Sequence, residues 1–200
     1  MSSKVQNKID NGREYRNFVI PFEIRAAESD EMIVEGYATT FNDPYELYNM
    51  GDYIVMEQID SKAFDECDMS DVIMQYDHTG RVFARNKNGT LGLEADDEGL
   101  KITADLGGTE IGRQLYEEIR GGYTDKMSFG FTVAKDHMSY DGNAYVRSID
   151  AIGKLYDVSA VSLPQNNNTE IVSARKHCDG VIAELETERA RAEEEAITAV

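Results

Sequence analysis

Short runs in which apolar and polar residues alternate fill most of this chain, and the period lengthens to that of a helix in two longer stretches. The pattern is strand-like from Phe18 to Arg25. It continues from Glu31 to Thr40, with Met32, Val34 and Tyr37 available for a core. Turn signals at Phe41-Asn42-Asp43-Pro44 and Asn49-Met50-Gly51-Asp52 bracket Tyr45 to Tyr48, and a strand-like run from Tyr53 to Ile59 follows. Ser61-Lys62-Ala63-Phe64 predicts a short helix capped by Asp60 or Ser61. Val72 to Tyr76 is a short apolar run that reads as a strand. Asn86-Lys87-Asn88-Gly89-Thr90 reads as a hairpin turn, because Asn-Gly tolerates positive φ. Leu91 and Leu93 resume strand spacing, Asp96-Asp97-Glu98-Gly99 turns the chain, and Leu100, Ile102 and Ala104 alternate again.

Thr109 to Arg120 carries the clearest helical signal. Thr109 can cap it, Ile111, Leu115 and Ile119 share a face, and Gly121-Gly122 ends it. Met127, Phe129, Phe131 and Val133 then alternate with Ser128, Gly130 and Thr132, predicting a strand with one bulky face and one small face. Asp141-Gly142-Asn143 is a turn. Strands are expected over Ala144 to Ile152 and Leu155 to Leu163, the last stopped by Pro164 and the polar Gln165 to Asn168. From Val181 the chain is helical and acidic, with a narrow apolar face of Val181, Leu185 and Ala192, which predicts a peripheral or partner-binding helix. Many short strands with a few helices imply an α+β fold with a β-barrel-like or sandwich core. The expected organisation is a flexible N-terminal arm over residues 1–16, one domain over 17–175 and an acidic helical tail over 176–200.

Composition narrows the function. The 200 residues suit one domain plus tails. A net charge of -18, from 38 acidic and 20 basic residues, argues against a nucleic-acid surface and against adhesion to anionic membranes. Cys67 and Cys178 form no paired motif, so a reducing compartment is the expectation. No signal-peptide core or stretch of bilayer-spanning length occurs, which points to a cytoplasm. There is no His-Glu-x-x-His, no EF-hand spacing, no Gly-x-Ser-x-Gly elbow and no phosphate-binding glycine loop. No metal or cofactor is therefore implied.

Two segments carry candidate chemistry. Tyr76-Asp77-His78-Thr79-Gly80 puts a histidine where an apolar run meets a loop, and Met127-Ser128-Phe129-Gly130-Phe131 puts a serine on the small face of a strand. A histidine can serve as general base for a serine hydroxyl. Taken alone, each residue type is more often structural. Gly130 and Thr132 beside Ser128 leave space on that face for a ligand backbone. Asp77 would point away from His78 if both lay on a strand, and His137 and His177 read as surface residues.

In order along the chain, Glu35-Gly36-Tyr37-Ala38-Thr39-Thr40-Phe41, Glu57-Gln58-Ile59-Asp60-Ser61-Lys62-Ala63-Phe64, and His78 with Arg81 and Asn88-Gly89-Thr90-Leu91 form a recognisable series. It ends with Met127-Ser128-Phe129-Gly130-Phe131 and Leu155-Tyr156-Asp157-Val158-Ser159-Ala160-Val161-Ser162-Leu163-Pro164. The series resembles the prohead (procapsid maturation) serine proteases of tailed bacteriophages, a family related in fold to the herpesvirus assembly proteases. The resemblance spans about residues 17–175 and implies a herpesvirus-protease-like fold. It implies Ser128 as nucleophile, His78 as general base and Asp157, where the family typically has Glu, as the third catalytic residue. It further implies that the substrates are the major capsid protein or scaffolding protein, cleaved inside the assembling procapsid in the host cytoplasm, and it leaves a homo-oligomer open. The paired arginines that the herpesvirus relatives place near the oxyanion have no counterpart, leaving Arg81, Arg85 or a backbone N–H for that role. The main rival reading is a non-enzymatic capsid scaffold or assembly protein on the same fold, and a second is a generic β-rich binding module with His78 and Ser128 far apart.

Overall fold

The computed structural model describes residues 12–18, 22–24, 31–162 and 172–198. The strands in chain order are β1 (Arg13–Phe18), β2 (Glu23–Ile24), β3 (Ile33–Thr40), β4 (Tyr45–Asn49), β5 (Ile54–Ile59), β6 (Ile73–Tyr76), β7 (Thr79–Arg85), β8 (Leu91–Ala95), β9 (Gly99–Asp105), β10 (Lys126–Tyr140) and β11 (Tyr145–Val161). The helices are α1 (Glu110–Arg120) and α2 (Val172–Thr198). The fold is mixed α and β, as the alternating pattern implies.

The strands form a seven-stranded sheet and a four-stranded sheet. The larger runs β1-β10-β11-β5-β4, with the β6–β7 hairpin attached to β11, and the smaller runs β2-β3-β9-β8. Both are open among the described residues, so the expected barrel-like core is replaced by two sheets. The reason lies in the edges: β1 and β4 end the larger sheet and do not pair with each other. β11 is the organiser. Along one side it pairs antiparallel with β10, and along the other it pairs in parallel with β5 through Tyr145–Ile149 and with β6 through Asp157–Ala160. Between the sheets lies a core that includes Val34, Leu100, Ile102, Met127, Phe129 and Phe131, all buried.

Several expectations are corrected. Residues 61–66 form turns rather than a short helix, with Asp60 O accepting from Ala63 N. The Asn86-to-Thr90 turn is not a hairpin: it is a short 3₁₀ turn with Gly89 at φ 77°, and it carries the chain from β7 in one sheet to β8 in the other. The two strands expected over 144–163 are one continuous 17-residue strand, β11. β1 begins at Arg13, inside the expected flexible arm, because Glu14 and Arg16 are buried in ion pairs. Parts of the expected first strand and the stop at Pro164 fall outside the described residues.

The helices follow elementary rules more closely. The Thr109 hydroxyl accepts from Gly112 N at 3.0 Å and caps α1, which buries Leu115, Tyr116 and Ile119. The buried stripe of α2 is Ala174, Cys178 and Ile182, packed on Leu47, Tyr48, Val55 and Tyr145. It lies earlier than the predicted stripe, Ala192 of which is exposed. The second half of α2 carries its acidic residues largely in solvent. No helix among the described residues is long and apolar enough to cross a membrane.

Candidate active site

His78 owes its position to a tight turn. Tyr76 pairs with Thr79 across the β6–β7 hairpin, leaving Asp77 and His78 as the two central residues, with φ of 48° and 55°. Positive φ at both central positions is the signature of the hairpin turn that matches strand twist, and Asp and His are among the non-glycine residues that tolerate it best. Left-handed backbone of this kind gathers at functional sites. Asp77 N donates to Ala160 O at 3.1 Å, which fastens the turn to β11. Both residues belong to the turn, so Asp77 and His78 do not alternate across a strand as the sequence implies. One carboxylate oxygen of Asp77 is buried without a hydrogen-bond partner.

The register of β10 on β11 places Ser128 opposite Ser159 and Gly130 opposite Asp157. Residues two apart share a face, so Ser128 and Asp157 are diagonal neighbours on the surface that the turn overhangs. The three predicted residues meet there. His78 Nε2 lies 2.6 Å from Ser128 Oγ, and His78 Nδ1 lies 2.5 Å from Asp157 Oδ1. A carboxylate only accepts, so Nδ1 carries the proton and Nε2 is left to accept from the serine hydroxyl. Ser159 Oγ donates to the same Asp157 oxygen at 2.8 Å. Ser128 and Ser159 are fully buried, and the His78 side chain is 9% exposed.

At Gly130 the small face holds neighbouring side chains and not the space for a ligand backbone that the sequence implies. A Cβ at Gly130 would stand 2.5 Å from Asp157 Oδ2 and 2.7 Å from the Tyr15 ring, so the missing side chain makes room for these two groups. The sequence reading missed Tyr15, Ser159 and Arg13. Tyr15 packs its ring 4.5 Å from that of His78, and Arg13 Nη1 lies 4.0 Å from Asp157 Oδ2. Their signal is the alternation of Arg13-Glu14-Tyr15-Arg16, obscured by charge.

Of the oxyanion candidates, Arg85 is engaged by Asp71 at 2.7 and 2.6 Å. Arg81 borders a cavity of about 450 Å³ between β7 and α1, lined also by Tyr76, Thr79, Phe83, Ile111 and Leu115. Tyr76 and Thr79 bracket the turn that holds His78. Cys67 is half-buried, and burial pushes its thiol up to about 11, which suits a structural role. His137 pairs with Asp150 at 2.8 Å and His177 with Asp136 at 3.1 Å, both largely exposed. Among the described residues no three His, Cys, Asp or Glu side chains are grouped to hold a metal.

Beneath β1 lies a buried ionic cluster. Arg16 contacts both Glu57 oxygens and Glu14, and Arg147 contacts Glu14, Glu57 and Asp136. The Tyr45 hydroxyl donates to Glu57. Burial alone would raise both glutamates, but the two guanidiniums outweigh it and hold Glu14 and Glu57 below the ordinary carboxylate range.

A serine hydroxyl, an imidazole and a carboxylate linked in series define the constellation of serine hydrolases. A family model described as caudovirus prohead serine protease matches residues 21–181, and the chain belongs to that family. No curated protein and no solved structure matches the chain. Membership makes it a protease of the phage prohead, a hydrolase of capsid maturation.

Proposed function

We propose that the chain is a serine endopeptidase in which Ser128 is the nucleophile, His78 the general base and Asp157 the residue that orients His78. The supporting observation is that one imidazole bridges Ser128 Oγ and Asp157 Oδ1 through its two nitrogens. Ser128 Oγ attacks the peptide carbonyl carbon while His78 Nε2 takes its proton. The tetrahedral intermediate collapses, the C–N bond breaks, and His78 returns the proton to the leaving amine. Water then repeats the sequence to release the acyl group and restore the serine. Asp157 holds Nδ1–H and stabilises the imidazolium throughout.

The substrates of this reading are the major capsid protein, the scaffolding protein, or both, cleaved inside the assembling procapsid in the host cell. In this reading the cavity bordered by Tyr76 and Thr79, the residues that flank the His78 turn, receives a substrate side chain. A fold relation to the herpesvirus assembly proteases belongs to the same reading. The test is co-expression with the capsid and scaffolding proteins, comparing the intact chain with Ser128→Ala. Processing should be lost in the variant, and equal processing in both would end the serine mechanism.

A further inference from the structure

We propose that β1, which precedes the residues matched by the family, completes the catalytic site, with Tyr15 and Arg13 as positioning residues for His78 and Asp157. The proposal rests on the assignment of Ser128, His78 and Asp157 above. It starts from the alternation of a strand. β1 pairs antiparallel with β10, the strand of Ser128, with Tyr15 opposite Gly130 and Arg13 opposite Thr132. Side chains of successive residues point to opposite faces. Glu14 and Arg16 therefore enter the buried ionic cluster, while Arg13 and Tyr15 rise on the face of Ser128, Asp157 and His78.

Each contact does something definite. The Tyr15 ring leans on the His78 imidazole with centroids 4.5 Å apart at 59°, which limits rotation of the imidazole about its ring bond. Its other neighbour is the empty Cβ position of Gly130, so ring and carboxylate pack side by side. Arg13 Nη1 donates to Tyr15 Oη at 3.2 Å, its guanidinium covers the Tyr156 ring at 3.8 Å, and it faces Asp157 Oδ2 at 4.0 Å. His78 and Ser159 both use Oδ1, so Arg13 addresses the opposite edge of the carboxylate. Asp157 is thus bonded at Oδ1 and faced by Arg13 at Oδ2, and His78 is flanked by the Tyr15 ring as well as bonded at both nitrogens.

The anchoring decides between positioning and covering. A strand that merely covered Ser128 would have to leave for substrate to enter. Here departure would strip Glu57 and Arg147 of buried partners, and breaking buried ion pairs is costly. These ion pairs therefore oppose departure of β1.

The test uses the full chain and a fluorophosphonate probe. Ser128 Oγ forms a bond to phosphorus, fluoride leaves, and the serine proton passes to His78. Ser128→Ala separates the two ideas: if it still labels, the underlying assignment fails. Given loss of labelling there, Tyr15→Ala should lower the maximal labelling rate by about tenfold or more with little change in probe affinity, because misorientation acts on the chemical step. Tyr15→Phe, which keeps the ring, should restore that rate to within about twofold. In Arg13→Gln, the low-field proton resonance of His78 Nδ1–H should move further downfield, because Asp157 becomes the stronger acceptor. Faster labelling by Tyr15→Ala would make β1 a cover and overturn the proposal. So would an Arg13→Gln resonance identical to that of the parent, a readout that survives if Tyr15→Ala fails to fold.

Discussion

Gly130→Ala should disable the enzyme while leaving it folded. The added Cβ would stand 2.5 Å from Asp157 Oδ2 and 2.7 Å from Tyr15 Cε1, whereas ordinary contact begins at 3.4 Å. The carboxylate would have to retreat by about 0.9 Å, the difference of those two distances. Both obstructing groups are side-chain ends, so the β10–β11 pairing can persist. The cost in stability is that of mild overpacking, about 1–3 kcal/mol. Activity is less forgiving, because Asp157 Oδ1 sits 2.5 Å from Nδ1 and a shift near 1 Å breaks that contact. A misplacement of this size costs on the order of 10²-fold in rate. The assay pairs cleavage of the capsid or scaffolding protein with thermal melting. Gly92→Ala is the control, since its nearest contact would be an ordinary 3.6 Å to Thr103 Cβ. A Gly130→Ala protein that cleaves at the parental rate would show that the position of Asp157 does not matter, and the reasoning would fail.

Asp157→Asn should fold normally and lose about 10⁴-fold in kcat, since an amide no longer fixes the proton on Nδ1; a loss below about tenfold, measured on the same substrates, would move the orienting role elsewhere. Glu57→Gln should lower stability in urea by about 3–5 kcal/mol, because Arg16 and Arg147 would keep only Glu14 of the two buried anions they share; an unchanged midpoint would show that the cluster is neutral to stability. The acid limb of stability follows from the same cluster. Glu14 and Glu57 are held below the ordinary value of 4.5, so the unfolded chain binds more protons in acid. Their contribution is present in full above that value and is lost as pH falls through the lower folded-state values. Melting temperature against pH should therefore drop in the acid range, more shallowly in Glu57→Gln, and parallel curves would contradict the assignment.

The parts legible in the sequence are those governed by local rules. Thr109 and its helix needed only capping and a 3.6-residue period, and the bulky-small alternation around Ser128 needed only a period of two. What was hidden depended on partners distant in sequence. Asn86 to Gly89 has hairpin chemistry, yet the same turn serves equally well to cross between sheets, and local residues do not distinguish the two. β11 looked broken at Gly153-Lys154, where a bridge between Asp68 and Lys154 braces the strand from outside. β1 looked disordered because its pattern is charged. Burial of Glu14 and Arg16 is legible only once Glu57 and Arg147 are known to wait beneath them.

That last point explains why the site is assembled as it is. Three segments must be held in register to bring His78, Ser128 and Asp157 together: the β6–β7 turn, β10 and β11. Pairing along β11 fixes two of them, since Asp157 is opposite both Gly130 on β10 and Ile73 on β6. The turn then spans β11 to reach Ser128, and only left-handed backbone at Asp77 and His78 folds it back so sharply. Ladder hydrogen bonds set strand position but leave a sheet edge, where β10, the strand of Ser128, would otherwise expose its flank. β1 closes that edge, and its charges give it a specificity that apolar residues would not. Slipping β1 by one residue would turn Arg13 and Tyr15 into the ionic cluster and Glu14 and Arg16 onto the catalytic face. Glu57 would lose Arg16, Arg147 would lose Glu14, and a glutamate would be brought to the face of Ser128 beside Asp157. A buried ion pair is a poor source of net stability, but here it selects one register, and that register is the one that brings Tyr15 against His78.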